Sequence, residues 1–465
     1  MKKTITYVLI SCCFITSLYG ADLMDVYRQA LENDTSFKAA YSDMMANSEV
    51  LPQAKAALMP QLLATSSVSR TKLLVSAGFF SGKQIYDTNT YQLTASQDIF
   101  NYQSWAKVQQ AKASVKAAYA TFNNASQDLI IRTADAYLTV LYAQDTLNFA
   151  EAKLRANKRQ LDQAQQRFNV GMDAITSVYE AKAAYDQTIA EVISAKNNKI
   201  NQNENLRKLT NYVYKELSSL KNNKIPLLKP EPANVNDWVD TGLKQNYRLL
   251  STKYNLQAAR ENIKAQGSRN WPIFKLQGQK SHTFNTANSN DPNSVFVPSK
   301  QNIESVALQV SFPFYQGGLV ESQTRQAKYN FQTASEQLEQ TYREIAVSSQ
   351  IAYNTIIDGI SKVKADRQTI ISQTNSLDST EAQFQAGTRT MVDVVNAQQR
   401  LFEAQEQLAR DQYNFIRAVL NLKYLAGSLN VADLEEVNSW LNTTRINALP
   451  PNNKPIPKKT AAKRT

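Results

Sequence analysis

From about Tyr102 to Phe168, and again from Leu319 to Phe384, the chain holds no proline and, Gly359 apart, no glycine. Proline removes a backbone N–H and glycine carries the largest backbone entropy, so their absence leaves each run free to be a single helix. At about 1.5 Å per residue each helix would reach roughly 100 Å. A compact domain has no room for it, so the fold must let very long helices lie side by side.

The runs lack the Leu and Ile spacing of a two-stranded coiled coil. Small residues recur by sevens instead, at Ala111, Ala118 and Ala125, at Ala327 and Ala334, and as Ala174/Ala181 and Ala397/Ala404 in the segments that follow. Small side chains let helices approach closely, and the abundant Gln and Asn suit surfaces that stay wet. A wall of helices with water on both faces fits this composition; an ordinary bundle core that contains alanine is the alternative.

The chain is also written twice. At an offset of 216 residues Tyr137 meets Tyr353, Asp162 meets Asp378, Phe168 meets Phe384, Gly171 meets Gly387, Val178 meets Val394 and Leu206 meets Leu422. Upstream the offset becomes 212, where Leu31 meets Leu243 and Pro60 meets Pro272. The register predicts two tandem units, 21–235 and 236–448, each made of a helix, two strands and two very long helices. The opening helices are expected over 22–59 and 237–270, each closed by a proline.

Between the short and long helices the pattern alternates. Tyr91, Leu93, Ala95 and Ile99 oppose Gln92, Thr94, Ser96 and Asp98; Val306, Leu308, Val310 and Phe312 oppose Ala307, Gln309 and Ser311; Phe274 and Leu276 oppose Lys275, Gln277 and Gln279. Period two over about ten residues is the signature of a membrane β-barrel strand, and also of a half-exposed sheet in a soluble domain. Loops are expected over Ser76–Thr88 and Thr283–Gln301, which are rich in Gly, Asn, Ser and Pro.

Residues 1–20 open with Lys2 and Lys3 and continue "TITYVLISCCFITSLYG", the pattern of a cleaved secretory signal. Within it "LISC" loosely matches a lipobox ending at Cys12, although the apolar run before it is very short. Cys12 and Cys13 are the only cysteines, so a chain beginning at Ala21 offers no disulfide, thiolate nucleophile or Cys metal site. His282 is the only histidine, which leaves no zinc or nucleophilic constellation, no metal, no cofactor and no enzyme in view. The excess of Lys and Arg is spread along the chain apart from a basic tail over 449–465, read as disordered, and it does not point to nucleic acid. No later stretch has the ~18 apolar residues of a membrane helix, so a membrane would have to be entered by strands.

A barrel must close, because lipid cannot satisfy an open strand edge. Four strands cannot close around a lumen, whereas three copies would supply twelve.

Together, the leader, the duplicated strand–strand–helix units, "DIFNYQSW" and "PFYQGG" at the strand-to-helix joins, and the paired "RFNVGMDAITSV" and "QFQAGTRTMVDV" turns resemble the TolC family of outer-membrane efflux proteins. The resemblance covers the chain up to the basic tail. It implies an all-α plus membrane-β fold: a homotrimer with a twelve-stranded outer-membrane β-barrel, four strands per chain, continuing into a long periplasmic α-helical barrel. It implies a passive exit duct for drugs or for proteins of type I secretion, with a periplasmic adaptor protein, an inner-membrane pump or ABC transporter, and outer-membrane lipid as partners. Segments 212–236 and 428–448 would form a mixed collar midway along the helices.

The resemblance also places a gate at the helix turns. Gly171 and Gly387 fall where a turn needs positive φ, and adaptor docking is implied there. Of the aspartate pair that rings the family's entrance, the first matches as Asp393 and the second is Asn396. Thr390 and Asp393 also have the spacing of a capping box. Of the links that hold the family's closed state, Arg389 is kept and Thr176 is retained, while Phe384 stands at a Tyr position, Ser177 at an Asp position and Gln412 at an Arg position. A gate held by packing and neutral hydrogen bonds is the expectation. A secreted coiled-coil stalk or adhesin would explain the long helices but not the paired strands, and a diffusion porin would need many more strands per chain.

Overall fold

A computed structural model describes residues 20–77, 80–221, 225–287 and 299–442. The expected leader, the lipobox at Cys12, the basic tail, and parts of both expected loops and of both collar segments lie outside the described residues. In order come α1 (Leu23–Asn33), α2 (Thr35–Ser48), α3 (Val50–Ala56), β1 (Gln61–Ala77), β2 (Phe80–Phe100), α4 (Tyr102–Asn169) and α5 (Ile175–Thr210). Then α6 (Val235–Gln245), α7 (Tyr247–Gly267), β3 (Ile273–Ala287), β4 (Lys300–Ser311), α8 (Leu319–Gln385), α9 (Met391–Leu425) and α10 (Val431–Ser439) follow. Short helices, two strands and two long helices thus occur twice. The helices α4 and α8 have 68 and 67 residues and end within a residue or two of the limits set by the missing Pro and Gly.

The short helices are broken where the sequence predicts continuity. Asp34 and Asn246, 212 residues apart, take the same extended backbone, φ −61°, ψ 119° and φ −60°, ψ 124°. Each N–H still closes the preceding turn, on the Ala30 and Gly242 carbonyls. Their short polar side chains find better partners outside the helix: Asp34 accepts from the Phe37 N–H at 2.6 Å and from Arg132, and Asn246 Nδ2 donates to the Leu425 carbonyl at 3.0 Å. That competition is why Asx residues are weak in helix interiors. A further break at Glu49 precedes Pro52, whose missing N–H cannot bond back into α2.

Contacts divide the chain into two units, one of residues up to 39, 124–246 and 344 onward, the other of 40–123 and 247–343. In the second, β1 to β4 form one antiparallel sheet in sequence order. The hairpins are longer than the sequence predicts. Pairing of β1 with β2 persists to Ala77 and Phe80, and that of β3 with β4 from Ile273 and Ser311 to Phe284 and Lys300. Continuous ladders, reinforced by the Arg70–Asp87 pair at 2.7 Å, override the local turn composition. Among the described residues the sheet is not closed: β1 and β4 each have one unpaired edge. Val306, Leu308 and Val310 on β4 are all exposed. His282, expected at a strand end, lies inside β3 opposite Asn302 on β4. No described helix is long and apolar enough to cross a membrane.

The small-residue stripe is met in part: Ala111, Ala181, Ala327 and Ala397 are buried, whereas Ala118 and Ala125 are only half-buried. On α4 a second seven-residue frame, Ala106, Ala113 and Ala120, is buried throughout. On α7 Ser251, Ala258 and Ala265 repeat the spacing. There Ser251 Oγ lies 2.8 Å from Thr121 Oγ1 and donates to the Ala117 carbonyl at 3.3 Å, a backbone approach that only small side chains permit.

In the first unit the main core gathers α1, α4, α5, α8, α9 and α10 around Leu23, Tyr137, Leu206, Ile356, Ile416 and Leu434. Each such side chain contributes about 1.5–3 kcal/mol by leaving water. The Tyr137 hydroxyl donates to the Ser218 carbonyl at 2.7 Å. Single β-bridges, Ala21 to Leu217 and Leu220 to Leu441, tie the described parts of the expected collar segments to this core.

Candidate gate at the helix turns

The turns from α4 to α5 and from α8 to α9 share one backbone design. Gly171 and Gly387 both have φ 76°, in the left-handed region that favours glycine. Gly171 N–H donates to the Phe168 carbonyl at 2.9 Å and Met172 N–H to the Arg167 carbonyl at 2.8 Å. Gly387 and Thr388 repeat the pair on Phe384 and Gln383, both at 3.0 Å. These bonds satisfy the carbonyls that a helix end would leave orphaned. An added Cβ would meet nothing within 4 Å at either glycine, so the requirement is backbone conformation and not space.

The helix starts differ. On α9, Thr390 and Asp393 form the expected capping box: Asp393 N–H donates to Thr390 Oγ1, and Asp393 Oδ2 accepts from the Thr390 N–H at 3.0 Å. That backbone bond, then the Thr390 hydroxyl and the guanidinium of Arg389, hold the Asp393 carboxyl below the usual range. On α5, Ala174 stands at the cap and makes no side-chain bond. The first turn is closed instead by an ion pair the sequence reading missed, Arg167 to Asp173 at 3.0 Å. The signal was present, since Arg167 occupies the place of Gln383 in the second unit.

Phe384 is buried and reaches all four helices. It packs with Ala164 of α4, Val178 and Ala181 of α5, and Met391 and Val394 of α9. The guanidinium carbon of Arg167 stands 4.9 Å from its ring centroid. Next to this cluster Gln160 of α4 bonds Gln398 of α9, another buried contact that the sequence did not disclose. Arg389, by contrast, engages its own turn: Nε donates to Gln383 Oε1 at 3.2 Å and Nη1 lies 3.6 Å from Asp393 Oδ1. Thr176 and Asn396 are exposed, and Ser177 is half-buried. Gln412 stands 19 residues beyond Asp393 along α9, about 28 Å at helical rise, and is not brought to the turns.

The outer membrane efflux protein family matches residues 26–212 and 238–428. The chain belongs to that family. The outer membrane protein TolC of Escherichia coli K12 is 34% identical over 95% of this chain and 90% of its own length. The alkaline protease secretion protein AprF of Pseudomonas aeruginosa is 27% identical over 90% of this chain and 87% of its own. Among solved structures, the Campylobacter jejuni CmeC outer membrane channel superposes with TM-score 0.75 at 18% identity, covering 91% of this chain and 90% of that one. The open state of the Neisseria gonorrhoeae MtrE outer membrane channel gives TM-score 0.71 at 18% identity, over 89% and 91%. This family member is an outer membrane protein of duct architecture, which sets aside the stalk, adhesin and porin alternatives.

Proposed function

We infer that the chain is an outer-membrane exit duct for efflux and type I secretion. The observation that carries the reading is the open antiparallel sheet joined to paired helices of more than sixty residues, in a chain of the efflux family. Free edges on β1 and β4 cannot face lipid. Pairing β4 of one copy with β1 of the next closes three chains into twelve strands, an even number of the kind such barrels use. The tandem units 21–235 and 236–448 then give six near-equivalent segments around the axis. A periplasmic adaptor would dock at the turns around Gly171 and Gly387, and an inner-membrane pump or ABC transporter would supply substrate and energy. At the turns Phe384 and its apolar neighbours would hold the closed state, Arg389 would stiffen its own turn, and three Asp393 carboxylates would favour cations at the entrance. Thr176 and Ser177 would provide neutral hydrogen bonding.

Fractionation followed by electrophoresis with and without heating tests the assembly. A heat-modifiable outer-membrane trimer is expected, and a soluble monomer would overturn the reading. Deleting the gene should sensitise cells to a panel of dyes, detergents and antibiotics. Protein secretion is favoured in particular by AprF and by the proteases secretion protein PrtF of Dickeya chrysanthemi, 26% identical over 93% of this chain. Loss of a secreted protein from the medium of the deletion strain, restored by the gene, would establish it.

A further inference from the structure

One face of the four-stranded sheet is apolar, and it ends in aromatic rings at one border and in charge at the other. The strand register puts Leu62, Val68, Leu93, Leu276, Val306 and Leu308 on this face, all of them exposed. Thr65, Gln92, Thr94, Gln277, Gln279 and Gln309 lie on the opposite face. In a barrel the apolar face meets lipid and the polar one lines the lumen.

The apolar face also carries Arg70, Lys72 and Asp87 on the β1–β2 hairpin, and Lys280, Lys300 and Glu304 on β3 and β4. Charge on a lipid face costs most at mid-bilayer and little at the border. The position of these residues fits a border. Leu62 and Arg70 are separated by about 27 Å of strand at ~3.4 Å per residue, or about 20 Å along the axis at the usual ~40° tilt. That is most of the ~25 Å apolar band of a barrel. Lys280 and Glu304 enter lower on the face, and there they are paired at 2.7 Å. At the helix end of the sheet Tyr102 stacks on Trp271 with ring centroids 4.7 Å apart, Phe312 meets Phe314 at 4.2 Å, and Phe314 and Tyr315 are exposed. Rings of this kind mark a membrane border. The strand charges at that end, Asp98 and Lys275, lie on the polar face.

The charged border keeps a surplus of cations. Arg70 holds Asp87 through two bonds, at 2.7 and 2.8 Å, and Lys280 holds Glu304. Lys72 and Lys300 are exposed and make no ion pair among the described residues. Lys300 Nζ stands 5.9 Å from the centroid of the Phe284 ring, which the His282 ring meets edge-on at 4.2 Å.

We propose that this border is a docking site for the phosphate groups of a lipid headgroup in the outer leaflet. Lys72 and Lys300 bind the phosphate, and Arg70 and Lys280, oriented by their acids, stand beside them. An anion that stays at a fixed depth beside an apolar band is a lipid headgroup; a soluble anion gains nothing from a surface bordered by hydrocarbon. The site rests on the duct reading, which puts the helix end of the sheet in the periplasm and the charged border in the outer leaflet. Closing β4 of one copy on β1 of the next would set the Lys300 cluster beside the Lys72 cluster at each seam.

Lipopolysaccharide, intact or stripped of its phosphates, is titrated into the full-length trimer in phosphatidylcholine nanodiscs, and the lipid retained is counted by mass. The intact lipid should be retained and the stripped one lost. Lys72→Gln combined with Lys300→Gln should weaken retention about thirtyfold, at about fivefold for each cation beside an anionic surface. Lys72→Arg with Lys300→Arg should keep it. Single-channel recording of the same preparations in planar bilayers separates this site from the duct reading. A conducting trimer that holds both lipids alike, or whose Gln variant holds lipid as the parent does, would overturn the site and leave the duct. A chain that forms no trimer would overturn the duct reading and the site with it. Displacement of the intact lipid by millimolar inorganic phosphate would make this a free-anion site and overturn the lipid assignment.

Discussion

Arg167 of α4 caps the face of Phe384 on α8, its guanidinium carbon 4.9 Å from the ring centroid, and the same guanidinium pairs with Asp173 at 3.0 Å. One side chain therefore stiffens the first turn and covers the aromatic anchor of the second. Truncating Phe384 to Ala empties the small core shared by Ala164, Val178, Met391 and Val394. The expected loss is about 3 kcal/mol of local packing. Single-channel recording should show Phe384→Ala with a raised and noisier closed-state conductance, while Phe384→Leu keeps most of the packing and stays near the parent.

The turn glycines give a matched pair of tests. Gly171→Ala and Gly387→Ala both force a side chain into φ 76° with open space around it. Backbone strain alone should cost about 1–2 kcal/mol at each site, and nearly the same at both. Amide hydrogen exchange at Met172 and Thr388 would read it as equal acceleration. A much larger effect at one turn would mean that the two are not conformationally equivalent.

Much of this was legible in the chain. Helix length followed from missing Pro and Gly, because those residues act locally and strongly. The repeat was legible too, down to hydrogen bonds at Gly171 and Gly387 that share one register. Other features depended on side chains meeting across elements. Asp34 and Asn246 also bond Arg132 and the Leu425 carbonyl, partners remote in sequence that local pattern does not disclose. The alanine stripe was legible at Ala111, Ala181, Ala327 and Ala397 but not at Ala106, Ala113 and Ala120, because alanine is abundant enough in α4 to support several heptad frames and only burial sorts them. Turn-rich composition in Ser76–Thr88 was overruled by ladder pairing with β1. At the gate, the capping box was readable from spacing, whereas Arg389 turned inward to Gln383 and Gln412 stayed far along α9.

The Asp34–Arg132 pair makes a pH prediction. Asp34 is nearly buried, and although burial works to raise its carboxyl, Arg132 and the N–H groups of Phe37 and Ser36 hold it below the usual range. A depressed acid contributes stability that is full above its unfolded value of about 3.8 and is lost as pH falls through the lower folded value. Arg132→Ala should remove about 2 kcal/mol, the worth of hydrogen bonds to a charged group. It should also shift the acid limb of the unfolding profile to higher pH. An unchanged acid limb would show that the N–H groups alone hold Asp34 ionised.

Asp393 and Asn396 separate capping from ion selection. The Asp393 carboxylate is committed to the Thr390 N–H at 3.0 Å and leans on Arg389 at 3.6 Å, yet it remains solvent-accessible. Its depressed titration keeps it charged throughout the neutral range, and only strong acid would discharge it. Asp393→Asn retains an oxygen that can accept from Thr390 but removes the charge, so α9 should still start at Met391 while cation preference in a planar bilayer falls. Asn396→Asp adds one carboxylate a helical turn further along, on a side chain that is already exposed. Three such charges converging in a trimer should raise cation preference and slow its titration in acid through mutual repulsion. Reversal potentials across a salt gradient measure both changes. Equal selectivity in the parent and in Asp393→Asn would leave Asp393 as a helix cap alone, with the entrance field set by other residues.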